Sequence, residues 1–140
     1  MGGYIFFLGN AALTWSSHRQ SMATKSPTEC ELGSLIEATD EAKYLATFLT
    51  ELGHDPRPVP IMEDNKGTAD LAQHVAFYKR TKHITVRVRY MHDEVQAHEV
   101  QIISMPTHEQ VTDGFKKYLP RTAFLRFSRD ILNDNAAQLT

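Results

Sequence analysis

One cysteine, Cys30, is all the chain carries, so no disulfide can close within it, which fits a reducing compartment. No apolar run approaches the roughly 18 residues that a membrane span needs. The opening GGYIFFLGNAALTW has no basic stretch ahead of its apolar run and does not read as a signal peptide. Internal repeats and low-complexity segments are absent. Acid is missing from the start of the chain: no Asp or Glu occurs before Glu29. The formal net charge of −2 gives no global push towards nucleic acid.

What is present is an ordinary soluble balance, with 41% hydrophobic and 23% charged residues in a 140-residue chain, enough for one domain with a real core. Its organising stretch is SPTECELGSLIEATDEAKYLATFLTELG, from Ser26 to Gly53. Ser26 suits an N-cap, Pro27 the first helical position, and Glu29 a capping-box carboxylate. Gly53, with Pro56 and Pro58 beyond it, marks a left-handed stop. Leu32, Leu35, Ile36, Leu45, Ala46, Leu49 and Leu52 recur at three- and four-residue steps, which predicts one buried stripe.

Around that helix the remaining elements follow in order. Tyr4–Leu8 and Ala11–Ser17 read as strands joined by a turn at Gly9-Asn10, a hairpin. Val59–Met62 predicts a strand whose end meets Glu63-Asp64-Asn65, and Lys66–His74 a short helix. TVRVRY, within Ala76–Glu99, alternates as a strand does, yet Ile84, Val88, Met91 and Val95 also fit a helical face; helix is favoured. Val100–Met105 is a strand stopped by Pro106. A helix from Thr107 or His108 to Leu119 and a last one from Arg121 to Leu132 complete the chain. The expected fold class is α/β: a mixed sheet flanked by helices.

Three carboxylates could meet on one edge of such a sheet. Glu31 lies near the start of the long helix beside the apolar stripe. Asp64 closes the Val59–Met62 strand, and Asp113 sits in the first turns of the helix after Pro106. Clustered carboxylates either raise one another's pKa or hold a divalent cation, and oxygen donors favour magnesium or manganese. Singly, each residue could equally be a turn, cap or helix-dipole partner. Glu29 lies about 200° round the helix from Glu31, so it cannot share the site and is left to capping. Lys79, Arg80, Lys82, Arg87 and Arg89 fall within eleven residues, and Lys116 to Arg129 forms a second basic stretch. Either is a solvated face or a phosphate-binding patch. His74, His83, His92 and His98 lack a zinc spacing. Trp15 is read as core rather than as a base-stacking platform.

The wording of several segments narrows these alternatives. WSSHRQSMATKSPTECEL resembles WSSKKQ…ALSSTEAEY of copia-type LTR retrotransposon polyproteins. EDNKGTADLA is similar to their CDNQSAIALA, YKRTKHITVRVRYMHDEV to SRTKHIDIRYHFIREQV, and MPTHEQVTDGFKKYLP to VPTEDQLADIFTKPLP. GGYIFFLGNAALTWSS resembles the GYVF…ISWSS that precedes them. The blocks stand in the family's order over most of the chain, and the resemblance is to the ribonuclease H domain that follows the reverse transcriptase.

That resemblance implies a ribonuclease H-like fold and metal-dependent hydrolysis of the RNA strand of RNA–DNA hybrids, with Mg2+ or Mn2+ as cofactor. Glu31, Asp64 and Asp113 match metal-ligating carboxylates, and His108 stands where cellular ribonucleases H carry a His thought to assist product release. Lys79, Arg80, Lys82, Arg87 and Asn65 would contact the nucleic acid. Two cations about 4 Å apart would clamp the attacking water and the leaving 3′ oxygen. The reverse transcriptase region of the same polyprotein is an implied partner, a membrane is not, and the compartment is a cytoplasmic retroelement particle or the nucleus.

In the family a further catalytic Asp sits on a strand before the segment matched by Gly3 and Tyr4. A single N-terminally truncated domain over residues 1–140 is therefore expected, weak or inactive alone, its sheet completed by an upstream segment or an oligomer. The alternative is a catalytically incomplete module of the same fold that binds nucleic acid or a protein.

Overall fold

A computed structural model describes residues 2–19, 27–73, 82–106 and 120–132. The chain divides into two compact units, Met1–Gln20 with Val111–Thr140, and Ser21–Gln110.

In the first unit β1 (Gly2–Leu8) pairs antiparallel with β2 (Ala11–His18). Gly9, at φ 61°, takes the left-handed turn conformation that glycine adopts without steric cost. The ladder slips between Phe6 and Phe7: Phe6 faces Thr14 but Phe7 faces Ala12, so Leu13 is the extra residue of a bulge. A Cβ on Gly3 would lie 2.6 Å from the Ser16 carbonyl oxygen, so only glycine fits this close approach of the strands. The terminal helix of this unit, labelled α4 below, covers Arg121–Leu132 and packs on β2.

The second unit is built on α1 (Pro27–Glu51). Its C-terminus closes with Gly53 at φ 91°, where the Gly53 N–H donates to the Thr50 carbonyl and the His54 N–H to Leu49, both at 2.9 Å. These bonds satisfy carbonyls that the helix end would otherwise orphan. β3 (Val59–Glu63) and β4 (Val100–Ser104) pair in parallel, so a crossover must join them. Within it lie α2 (Lys66–Gln73) and α3 (Lys82–Gln96). The helical face wins over strand alternation in TVRVRY: Val88 and Met91 are buried, while Val86 is exposed. The core gathers Leu32, Leu35, Val88, Met91, Val100 and Ile102 around the small residues Ala38, Ala42 and Ala46.

Three expectations change. The strands form two separate two-stranded sheets, β1-β2 and β3-β4, rather than one mixed sheet; no ladder joins them among the described residues. The buried stripe of α1 keeps Leu32, Leu35 and Ala46 as expected but runs between them through Ala38 and Ala42, while Ile36, Leu45 and Leu49 are half-buried. Leu52 falls off it, beyond the last helical residue, and is 61% exposed. Trp15 is 57% exposed: strand alternation puts it on the outward row of β2, so it is not a core residue. Ser26, read as the N-cap of α1, and the helix expected up to Leu119 lie outside the described residues.

Candidate metal centre

β3 and β4 run the same way, so their carboxyl ends open on one edge of the sheet, and the start of α1 reaches it. Ile61 and Glu63 occupy the core-facing row of β3, and Glu63 is its last residue. Strand alternation therefore drives a carboxylate inward, leaving it only 6% exposed. Asp64, the next residue, is half-buried and turned to the same place, and Glu31, half-buried in the second turn of α1, completes the group. Glu31, Glu63 and Asp64 each bring a carboxylate oxygen within 4.8 Å of the others.

The turn after β3 is held by its own side chains. The Asn65 N–H donates to Glu63 Oε1 at 2.9 Å, and Asn65 Oδ1 accepts the Thr68 N–H at 3.1 Å. Asn65 is thus the N-cap of α2, its carbonyl taking the Ala69 N–H at 2.9 Å. Burial pushes the Glu63 carboxyl up to about 7. The Asn65 N–H opposes the rise, while the Glu31 and Asp64 charges and a hydrogen bond with Asp64 add to it. Near neutrality Glu63 is poised between proton and charge.

A pocket of this kind holds oxygen donors only, from two chain segments, with one donor out of bulk water. It fits a hard divalent cation, which would replace the proton on Glu63 and offset the mutual repulsion of the three acids. The donor set suits Mg2+ or Mn2+ and not a soft ion. Among the described residues no other group of three His, Cys, Asp or Glu side chains converges in this way.

Glu31 and Asp64, singled out from the sequence, are brought together; Asp113 and His108 lie outside the described residues, as do Lys79 and Arg80. Lys82 begins α3 but its side chain is not among those described, while Arg87 is half-buried on that helix. Glu63 is the residue that sequence reasoning missed. Its signal was there: Val59, Ile61 and Glu63 share one face of an alternating strand, which puts an acid where an apolar side chain is expected.

The chain is similar to retrovirus-related Pol polyproteins of transposons. It is 35% identical over 130 residues to those of transposons RE1 and RE2 of Arabidopsis thaliana, a match covering 92% of the chain. With that of transposon TNT 1-94 of Nicotiana tabacum it shares 30% identity over 122 residues, or 87% of the chain. The matched region spans 9% of the length of each of these curated relatives. No family model and no solved structure matches the chain.

Proposed function

We propose that this segment is the ribonuclease H part of a retrotransposon polyprotein, acting on the RNA strand of RNA–DNA hybrids. The observation that carries the reading is the convergence of Glu31, Glu63 and Asp64, with ligand atoms within 4.8 Å, at the carboxyl edge of a parallel strand pair. Similarity to transposon Pol polyproteins over nine-tenths of the chain supports it. The blocks resembling copia-type ribonuclease H segments add further support, since Glu31 and Asp64 match acids within them.

The three carboxylates would hold Mg2+ or Mn2+. The cation would supply Lewis-acid activation of water and neutralise charge building on the scissile phosphate. The chain's own contribution is placement. α1 fixes Glu31, the alternation of β3 turns Glu63 inward, and the Asn65 cap sets the turn that presents Asp64. A bound cation would displace the proton that Glu63 holds near neutrality, so occupancy of the site would couple to pH. In the hydrolysis, water adds to phosphorus while the bond to the 3′ oxygen breaks, leaving a 3′ hydroxyl and a 5′ phosphate. The reverse transcriptase region of the same polyprotein would be the natural neighbour in the chain.

The test measures Mn2+ binding by calorimetry and cleavage of a labelled RNA–DNA hybrid in Mg2+ or Mn2+. Glu31→Gln and Asp64→Asn are each expected to weaken metal binding and to cut hydrolysis by roughly 100-fold or more. Metal binding that survives both substitutions sinks the proposal. A wild-type chain that holds hybrid in EDTA yet never cuts it with metal favours the catalytically incomplete binding module.

A further inference from the structure

We infer that the exposed arc of α4 bearing Arg121, Arg126 and Arg129 is a contact surface for the phosphate backbone of nucleic acid. This rests on the reading above for the identity of the polyanion, but on different residues. At 100° per residue the three arginines fall within an arc of about 140°, shared with Thr122 and Leu125. All five are exposed; outside the arc Ala123, Phe127 and Ser128 are half-buried and Phe124 is exposed. The helix packs on β2 within its own unit. Its cationic arc is open to solvent, with Phe124 beside it.

Nothing among the described residues neutralises that arc. The ion pairs formed there, Lys43 with Glu94 and Arg57 with Asp55 and Glu99, all belong to the other unit. The unit that carries α4 holds six Lys and Arg against three Asp and Glu; the other holds nine against fourteen. Charge of one sign is thus concentrated beside a chain that is acidic overall.

The choice of side chain points the same way. Every cation of α4 is arginine, whose planar fork grips a phosphate through two hydrogen bonds. Along the axis Arg126 and Arg129 are about 5 Å apart, and Arg121 and Arg126 about 8 Å. Phosphates of one strand repeat about every 3.4 Å along a duplex, so the three guanidinium groups match the reach of a few successive phosphates. A lipid surface would call for a broad apolar face, and within this arc only Leu125 is apolar.

The experiment measures binding of a fluorescent RNA–DNA hybrid in EDTA at salt concentrations between about 50 and 200 mM, where phosphate contacts dominate the salt dependence. The wild-type chain is compared with Arg121→Gln/Arg126→Gln/Arg129→Gln, whose thermal melt controls for folding. The triple variant is expected to bind more than tenfold more weakly at the low end. Its slope of log affinity against log salt should fall in magnitude by about 2 to 3, close to 0.9 per lost phosphate contact. Arg126→Lys should keep most of the slope.

A wild-type chain with no measurable hybrid binding overturns the inference, as does a triple variant with unchanged slope. So does loss of binding to phosphatidylserine vesicles while hybrid binding persists. Failure of the nuclease reading looks different. There the Glu31→Gln chain binds Mn2+ normally while the arginine variant still loses hybrid. The converse, intact metal binding and cleavage with no effect of the arginines, removes only the α4 surface.

Discussion

The two units of this chain are built on opposite principles. Every buried hydrophobic residue among those described, from Leu32 to Ile102, belongs to Ser21–Gln110. The other unit exposes Phe7, Leu8, Leu13 and Trp15 on its hairpin and Phe124 and Leu125 on its helix. Charge divides along the same line: acid outnumbers base in the unit with the core, and base outnumbers acid in the other, mostly after residue 115. The difference matches the proposed roles of the two surfaces. Crowding carboxylates costs free energy, and only an element anchored in a packed core can hold them together. Phosphates in solution are met by exposed cations, which need no core.

The largest test of that division is a pair of truncations. Met91 is fully buried between α3 and α1, where its sulfur accepts a hydrogen bond from Thr39 Oγ1 at 3.4 Å. Met91→Ala is expected to cost about 2–5 kcal/mol, the transfer term plus the cavity left behind. Leu13→Ala or Trp15→Ala should cost under about 1 kcal/mol, because much of each side chain already meets water. Urea unfolding followed by circular dichroism measures both. Equal losses would mean that the hairpin carries as much of the stability as the helical core.

A second test bears on how the acidic unit tolerates its charge. The Glu63 carboxyl is raised from its ordinary 4.5 to about 7, first by burial and then by Glu31 and Asp64 against the pull of the Asn65 N–H. The folded form therefore keeps a proton that the unfolded chain releases near pH 4.5. Stability from this group is full below that pH and is lost as pH rises through 7, by roughly 3 kcal/mol. Without divalent cation, wild type should weaken relative to Glu63→Gln across this window, and Mg2+ or Mn2+ should restore much of the loss. A wild-type-minus-variant difference that does not vary with pH would show that Glu63 is not held in its buried, crowded place.

How much of this could be read from the chain differs between the units for physical reasons. α1 was legible because both its ends carry chemistry: Pro27 at the first position and Gly53 at the left-handed stop. The helical nature of residues 82–96 was legible through Ile84, Val88, Met91 and Val95, although TVRVRY alternates. Burial was harder. An apolar periodicity marks a stripe but not its exact rotation: Leu32, Leu35 and Ala46 were buried as expected, while Ala38 and Ala42 took the contact that Ile36, Leu45 and Leu49 were expected to make. Trp15 misled because aromatic size argues for burial while its row on the strand faces outward. At the site, Glu31 and Asp64 matched acids of recognisable segments, whereas Glu63, with no acid to match in the same segment, could be found only by following strand parity to its last residue. Pairing between strands distant in sequence leaves no local mark, so the two separate sheets could not be foreseen.

The smallest effect sharpens the contrast inside the acidic unit itself, where two helices end in the same way with different residues. α1 closes on Gly53 at φ 91°, and α3 closes on His98 at φ 57°. The bonds correspond: the His98 N–H donates to the Val95 carbonyl and the Glu99 N–H to Glu94, each at 3.1 Å. A side chain in that conformation brings its Cβ against the backbone, at a cost of about 1–2 kcal/mol that glycine escapes. Glycine gives part of this back through the greater freedom of the unfolded chain. His98 is exposed, so removing its ring sacrifices little. His98→Gly should therefore stabilise by about 0.5–1 kcal/mol, and Gly53→Ala should destabilise by a similar amount. Chemical denaturation resolves both. Should His98→Gly prove neutral or harmful, the imidazole contributes something at the turn into β4 that offsets its backbone strain, and the acidic unit depends on more than its core and its caps.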